Sequence, residues 1–203
     1  MFGFANETAY DAIILDTAGR HGVPPALVKA IIAAESSFRP EATRYEAHIQ
    51  DASLGLMQIL FNTARWVGFT GAPADLYDPA TGIEYGTRYL KKQWDRYNGA
   101  LLQVISAYNA GTARPLADGI GYVNQSYVDK VSRYYAGYAA EWPDTGASLA
   151  ADPVAFWTWG ADVGPPAGWG DEAEAGATAL PPADLLALVG ALALLVAYAL
   201  AGR

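Results

Sequence analysis

The chain has 203 residues, 52% of them hydrophobic, which suffices for one domain of ordinary size with additional segments. It contains no cysteine, so disulfide bonds, thiolate metal sites and cysteine nucleophiles are excluded. Two histidines without a surrounding metal motif give no reason to expect a metal, and no other cofactor motif is present. The net charge is −8, without a basic patch that would neutralise phosphates, so nucleic acid is not an expected partner.

The first part of the chain, from residue 8 to residue 141, has the pattern of short amphipathic helices. Gly22 ends the first helix, Pro25 fits the first turn of the second, and Pro40 lies beyond its end. The polar segment 41–58 is expected to be a loop with a little strand. No run alternates with period two for long enough to predict a sheet.

Four further helices are predicted beyond this loop. A short one covers 62–67, and Asp78 is the expected N-cap of a longer one that ends at Asn98-Gly99. Gly111 stops the next, and the last spans about 125–141. The prediction is therefore a mostly α domain over 1–142 with a small loop and strand segment.

Two segments of different composition follow this domain. Residues 143–184 hold six Pro, six Gly and three Trp but no Lys or Arg, and they are predicted to be a linker. Their tryptophans (Trp157, Trp159 and Trp169) suit packing on the outside of the domain, a saccharide contact or a membrane-interface contact.

Residues 185–201 contain no charge and span roughly 26 Å as a helix, near the ~30 Å of a hydrocarbon core. A transmembrane anchor is the prediction for them, with a buried core helix as the alternative.

Glu35 stands out within the second helix. It follows Ile31 by four residues and Ile32 by three, so it continues the apolar stripe of the helix. It also lies in the last turn, where the helix dipole disfavours negative charge. Both effects favour the neutral acid, so its pKa is expected to lie above the usual range and suit proton donation.

Four segments carry recognisable motifs in order: Glu35-Ser36-Ser37-Phe38-Arg39-Pro40-Glu41-Ala42 (E-S-x-F-x-P-x-A), Gly55-Leu56-Met57-Gln58-Ile59 (G-L-M-Q-I), Ala107-Tyr108-Asn109-Ala110-Gly111 (A-Y-N-A-G), and Tyr127-Val128 with Val131 and Tyr134 (Y-V-x-x-V-x-x-Y). Together they resemble the lytic transglycosylase domain of the Slt type, a relative of goose-type lysozyme. The resemblance implies a lysozyme-like helical fold, bacterial peptidoglycan as substrate and Glu35 as the catalytic acid/base.

The resemblance also implies a reaction with a single carboxyl. Glu35 would protonate the oxygen that joins MurNAc C1 to GlcNAc, and the substrate's own acetamido group would replace a second carboxylate. Glu35 would then deprotonate the MurNAc C6 hydroxyl, which closes a 1,6-anhydro ring. Six further residues are expected to bind or orient the sugar: Ser53, Met57, Gln58, Tyr108, Asn109 and Tyr127. Packing in the core is the alternative for Met57 and both tyrosines.

Two departures keep alternatives open. Phe61 stands where the family commonly has Pro, which would change a turn but not the chemistry. Glu46 or Asp51 would allow lysozyme-type hydrolysis if either held a water opposite Glu35, whereas a surface ion pair with Arg39 or Arg44 is the other interpretation. A non-catalytic saccharide-binding virion or membrane protein of the same fold is a third possibility.

The N-terminus lacks a basic region and carries Glu7 and Asp11, so it does not resemble a cleavable signal peptide. With a C-terminal anchor, this favours a location in the membrane of a phage virion, for local opening of the cell wall during infection. A bacterial cell envelope is the alternative location.

Overall fold

A computed structural model describes residues 1–117 and 119–142, which form a mostly helical domain with a small antiparallel sheet. The elements in chain order are α1 (Asp11–His21), α2 (Pro25–Ser36), β1 (Thr43–Glu46), β2 (Asp51–Leu54), β3 (Ile59–Leu60), α3 (Phe61–Trp66), a 3₁₀ turn (Pro73–Tyr77), α4 (Pro79–Arg96), α5 (Leu101–Ala110) and α6 (Gln125–Glu141). The predicted mostly α class is confirmed. No helix in this part of the chain is long and apolar enough to span a membrane. The predicted linker, 143–184, and the predicted anchor, 185–201, lie outside the described residues.

The ends of the helices follow the signals in the sequence. Gly22 caps α1 in the left-handed conformation, with φ 64°. Pro25 is the first residue of α2, a position where a backbone N–H would have no acceptor within the helix, so proline costs no hydrogen bond there. The side chain of Asp78 accepts a hydrogen bond from the backbone N–H of Thr81 at 2.9 Å and so caps α4.

The little strand expected within 41–58 is confirmed, and the structure shows it as part of a small sheet. Its three strands are antiparallel in the order β1-β2-β3, and Ser53 of β2 pairs with Arg44 on one side and Leu60 on the other. The strands have four, four and two residues. Runs this short do not develop a period-two pattern, so hydrogen bonding between neighbours identifies them and hydropathy does not.

Two apolar clusters form the core of the described domain. The larger surrounds α2, in which the stretch from Ala26 to Ile32 is almost completely buried and packs chiefly against α6. The smaller lies under β2, β3 and α3 and consists of Leu54, Ile59, Ala64, Val67, Phe69 and Leu76. Tyr89 of α4 packs against both clusters.

Polar contacts also fix α6 to the rest of the domain. The buried carboxylate of Glu7 accepts hydrogen bonds from the backbone N–H groups of Phe2 and Gly3 and from the Tyr138 hydroxyl. Near the other end of α6, the ammonium group of Lys130 donates to the carbonyl oxygen of Ala34 at 3.0 Å. This second contact satisfies a carbonyl at the C-terminus of α2, where a cation is favoured.

Candidate active site

Glu35 is the second-last residue of α2, and its side chain is half-buried. The helix ends there because Ser37 and Phe38 both adopt left-handed backbone conformations, with φ 53° and 62°. The Phe38 side chain is fully buried, which holds this unusual turn in place. Glu35 therefore lies at the end of the apolar stripe of α2, at the point where the chain turns away.

The last helix supplies the partner of this carboxyl. The Tyr127 hydroxyl donates a hydrogen bond to Glu35 Oε1 at 2.7 Å. Burial raises the pKa of Glu35 above its ordinary value, although the Tyr127 hydrogen bond and the nearby charges of Lys130 and Arg44 act in the opposite direction. The expectation of an acid with a raised pKa is confirmed, and desolvation is its main cause.

Tyr108 lies beside this pair without bonding to the carboxyl. Its hydroxyl donates to the backbone carbonyl oxygen of Met57 at 3.0 Å. The ring is buried, and burial together with the charge of Glu35 raises the pKa of the Tyr108 hydroxyl well above its ordinary value. Of the two tyrosines expected to bind or orient the sugar, Tyr127 is the one that bonds to the Glu35 carboxyl.

Two residues of the G-L-M-Q-I segment serve the fold directly. Met57 is 0% exposed, and the Thr87 hydroxyl contacts its sulfur at 3.8 Å, so its side chain packs in the core. The Gln58 amide nitrogen donates to the carbonyl oxygens of Ala42, at 2.8 Å, and Gly55, at 2.9 Å. Gln58 thus ties the end of the sheet loop to the segment after α2, and its side-chain oxygen is the remaining acceptor.

Ser53 and Asn109 occupy different surroundings. Ser53 is nearly buried on the central strand β2. Asn109, near the end of α5, is exposed, and its Oδ1 accepts a hydrogen bond from the side chain of Asn124 at 3.0 Å. Because that bond fixes the orientation of the Asn109 amide, its nitrogen is directed away from Asn124.

The two carboxylates considered for hydrolysis are engaged in other contacts. Glu46 forms an ion pair with the exposed side chain of Arg44 at 2.8 Å, as the alternative interpretation predicted. Asp51 is buried, and its two oxygens accept the backbone N–H groups of Ala52 and of Asn62 in the first turn of α3. The expected ion pair of Asp51 is therefore wrong, because this carboxylate caps α3.

Comparison with known proteins identifies the family of this domain. The family model of the Transglycosylase SLT domain matches residues 12–125, more than half of the chain. The chain belongs to this family. Membrane-bound lytic murein transglycosylase C of Histophilus somni is 32% identical over 145 residues, which cover 61% of this chain and 39% of that protein. The protein of the same name from Yersinia enterocolitica is 35% identical over 121 residues, covering 53% and 32%.

Solved structures agree on the SLT fold. An inactive mutant of the lytic transglycosylase Slt from Pseudomonas aeruginosa aligns with a TM-score of 0.57 at 24% identity, over 66% of this chain and 24% of that one. The 70 kDa soluble lytic transglycosylase of Escherichia coli aligns with a TM-score of 0.55 at 23% identity, over 66% and 25%. The chain thus spans about two fifths or less of the length of these relatives.

Lys130 and Arg44 are residues of this SLT domain that the sequence interpretation did not assign to the site. Both place positive charge near Glu35. A signal existed for Lys130, since it follows Tyr127 by three residues on α6 and so lies on the same helix face. Arg44 gave no such signal, because its position depends on the register in which β1 pairs with β2.

Replacement of Asp51 by Ala is expected to destabilise the SLT domain by about 2 kcal/mol, because it removes a carboxylate that accepts two buried backbone hydrogen bonds. Urea denaturation measures this change. The matched control is Glu46→Gln, which breaks only a surface ion pair and is expected to change stability by less than about 1 kcal/mol. Equal stability of Asp51→Ala and the wild type would contradict the capping role.

Proposed function

We propose that this chain is a peptidoglycan lytic transglycosylase that cleaves the β-1,4 bond between MurNAc and GlcNAc, with Glu35 as its acid and base. The observation that carries the proposal is the half-buried Glu35 carboxyl with its raised pKa, held by Tyr127, in a domain of the SLT family. The names of the relatives, which are lytic murein transglycosylases, support it.

In the first step, the protonated Glu35 gives its proton to the glycosidic oxygen as the bond from that oxygen to MurNAc C1 breaks. A carboxyl whose pKa is raised by burial suits this step, because it holds its proton more tightly than an exposed carboxyl does. The carbonyl oxygen of the MurNAc acetamido group attacks C1 from the opposite face and forms a cyclic intermediate. Because the substrate supplies this nucleophile, no second carboxylate is required.

In the second step, the Glu35 carboxylate removes the proton of the MurNAc C6 hydroxyl. The resulting oxygen attacks C1 and displaces the acetamido oxygen, which yields the 1,6-anhydro ring and restores protonated Glu35. No water is consumed. The Tyr127 hydroxyl donates to the carboxylate between the two steps, when Glu35 carries its charge.

Other residues are proposed to hold the sugar. The exposed amide nitrogen of Asn109 suits the carbonyl of an N-acetyl group, and the side-chain oxygen of Gln58 suits a sugar hydroxyl. Ser53 pairs with Arg44, whose positive charge lies near Glu35. Tyr108 lies close enough to Glu35 for the carboxylate charge to raise the pKa of its hydroxyl, which donates to the Met57 carbonyl oxygen.

Digestion of purified peptidoglycan by the full chain tests the proposal through the identity of the products. Mass spectrometry is expected to find 1,6-anhydroMurNAc ends as the main product, because the Asp51 carboxylate is occupied by backbone N–H groups and Glu46 by Arg44. MurNAc ends that borohydride reduces would instead demonstrate a hydrolytic muramidase. Binding without cleavage would indicate a non-catalytic saccharide-binding protein.

The proposed organisation is a catalytic domain over 1–142, a linker over 143–184 and a transmembrane anchor over 185–201. The absence of charge from 185–201 and the membrane-bound relatives support it. The proposed location is therefore a membrane next to a cell wall, in a phage virion that opens the wall during infection or in a bacterial envelope.

Removal of residues 183–203 tests the anchor. We expect the full chain to stay with membranes after a carbonate wash, because the apolar side chains of this segment cannot remain exposed to water at ~1.5–3 kcal/mol each. The truncated chain is expected in the supernatant with its lytic activity intact. A truncated chain that unfolds would place this segment in the core of the domain instead.

A further inference from the structure

One tryptophan of the described domain has a largely exposed ring that packing in the core does not explain. Trp66 ends α3 and is 65% exposed, whereas Trp94 and Trp142 pack against the core. A single exposed apolar residue is ordinary in a protein surface. Trp66 differs from such a residue because its ring contacts that of Tyr89, which in turn contacts the ring of Tyr108.

Trp66 is the outer member of a row of three aromatic rings. Its ring meets that of Tyr89 edge to face, with 6.4 Å between the ring centroids and 72° between the planes. The Tyr89 ring in turn lies 5.2 Å from that of Tyr108. Edge-to-face contacts of this kind are favourable and hold the rings in defined orientations.

Tyr89 is itself held firmly in the middle of the row. Its hydroxyl donates to the carbonyl oxygen of Ala107 at 3.3 Å, and burial raises the pKa of that hydroxyl to about 12. The row therefore begins at an exposed indole and ends at Tyr108. The charge of Glu35 is one of the causes that raise the pKa of the Tyr108 hydroxyl. The ring centroids of Trp66 and Tyr108 are thus no more than about 12 Å apart, comparable to the length of a disaccharide unit.

We propose that Trp66 is a saccharide-stacking subsite about one disaccharide away from the bond that Glu35 protonates, an inference that rests on the proposed function. A pyranose ring presents an apolar face of C–H groups, while its hydroxyls point outward to water. A fixed and largely exposed indole matches that face and leaves the hydroxyls hydrated. The occupant is the peptidoglycan glycan strand, because the row leads from the indole to Tyr108, whose hydroxyl lies close enough to Glu35 for the carboxylate charge to raise its pKa.

Binding measurements with the full chain separate this role from catalysis. In a Glu35→Gln background, calorimetry measures the affinity for a long oligosaccharide of alternating GlcNAc and MurNAc. The chain that keeps Trp66 is compared with Trp66→Ala and Trp66→Phe. Trp66→Ala is expected to weaken binding about tenfold, and Trp66→Phe, which keeps a ring, by a smaller factor. For a single GlcNAc, which is too short to extend from Glu35 to the indole, the three are expected to bind equally.

Kinetics with Glu35 intact provide the second readout. Trp66→Ala is expected to raise KM on long glycans about tenfold with kcat and its pH profile unchanged, since the reacting atoms are distant. Leu15→Ala, which truncates an exposed apolar residue on α1, is the matched control and is expected to behave as the wild type.

If Trp66→Ala binds the glycan as tightly as the wild type does, the subsite is overturned. The same holds if this variant binds glycan normally but no longer binds lipid vesicles. If the wild type binds glycan but cleaves none, the proposed function fails, while a loss of binding in Trp66→Ala would still support the subsite. If the wild type cleaves and Trp66→Ala is equally active with an unchanged KM, only the subsite fails.

Discussion

Glu35→Gln is expected to reduce lysis of purified cell walls by about 10²- to 10⁴-fold, because Gln neither donates nor accepts the proton. The substitution preserves the shape of the side chain, and its amide oxygen still accepts the hydrogen bond from Tyr127. The loss is therefore expected to reflect chemistry and not a change of fold. Turbidity measures the rate, and circular dichroism checks that the helix content is unchanged. Lysis at a rate near that of the wild type would remove Glu35 from the mechanism.

The same variant is expected to be more stable than the wild type at pH 7. Burial raises the pKa of Glu35 above 4.5 in the folded protein, so the folded state binds the proton more tightly than the unfolded state. Ionisation therefore lowers stability as pH rises from the unfolded pKa through the folded pKa, and the loss is complete above the latter. Gln does not ionise and avoids this loss. The difference in melting temperature between the variants should shrink toward pH 4, and a less stable Gln variant at pH 7 would contradict it.

Gly55→Ala is expected to destabilise the domain by about 3 kcal/mol, the largest effect on stability among these predictions. Gly55 has φ 71°, a conformation that costs other residues free energy. A Cβ atom on Gly55 would also lie 2.2 Å from the backbone carbonyl oxygen of Leu76 in the 3₁₀ turn. Since that oxygen is backbone, the turn itself must move. Urea denaturation at pH 7 measures the loss, and wall lysis is expected to fall with it at elevated temperature.

Gly22→Ala is the matched control for this prediction. Gly22 has nearly the same backbone conformation, with φ 64°, but no atom lies within 4 Å of a Cβ built there. Its replacement is expected to cost about 1 kcal/mol, which is the conformational part alone. The difference between the two variants isolates the collision between Gly55 and Leu76. Equal losses at the two positions would show that the close approach contributes nothing.

The helices were predictable because each carries its own start or stop signal. Asp78 caps α4 through a bond to a residue three positions away, and Gly22 ends α1 by its own conformation. The burial of Glu35 was predictable for the same reason, since its spacing from Ile31 and Ile32 is local. Each of these inferences needed only residues within a turn or two of one another.

The parts that were not predictable depend on contacts between distant residues. Tyr108 and Tyr127 both belong to motifs, and only the crossing of α6 over α2 decides that Tyr127 reaches Glu35. Asp51 precedes Asn62 by eleven residues, and the folding back of the sheet brings its carboxylate to the start of α3. Met57 is buried because α4 presents Gly86 to it, which no pattern within its own segment reveals.

The hydrogen bond from Tyr127 to Glu35 joins residues that are 92 positions apart. A growing chain emerges from the ribosome N-terminal end first, so α2 is made long before α6. Until α6 is made, the hydrogen bond from Tyr127 and the positive charge of Lys130, which both lower the pKa of the Glu35 carboxyl, are absent. The complete environment of Glu35 therefore exists only after the last helix of the domain has been translated.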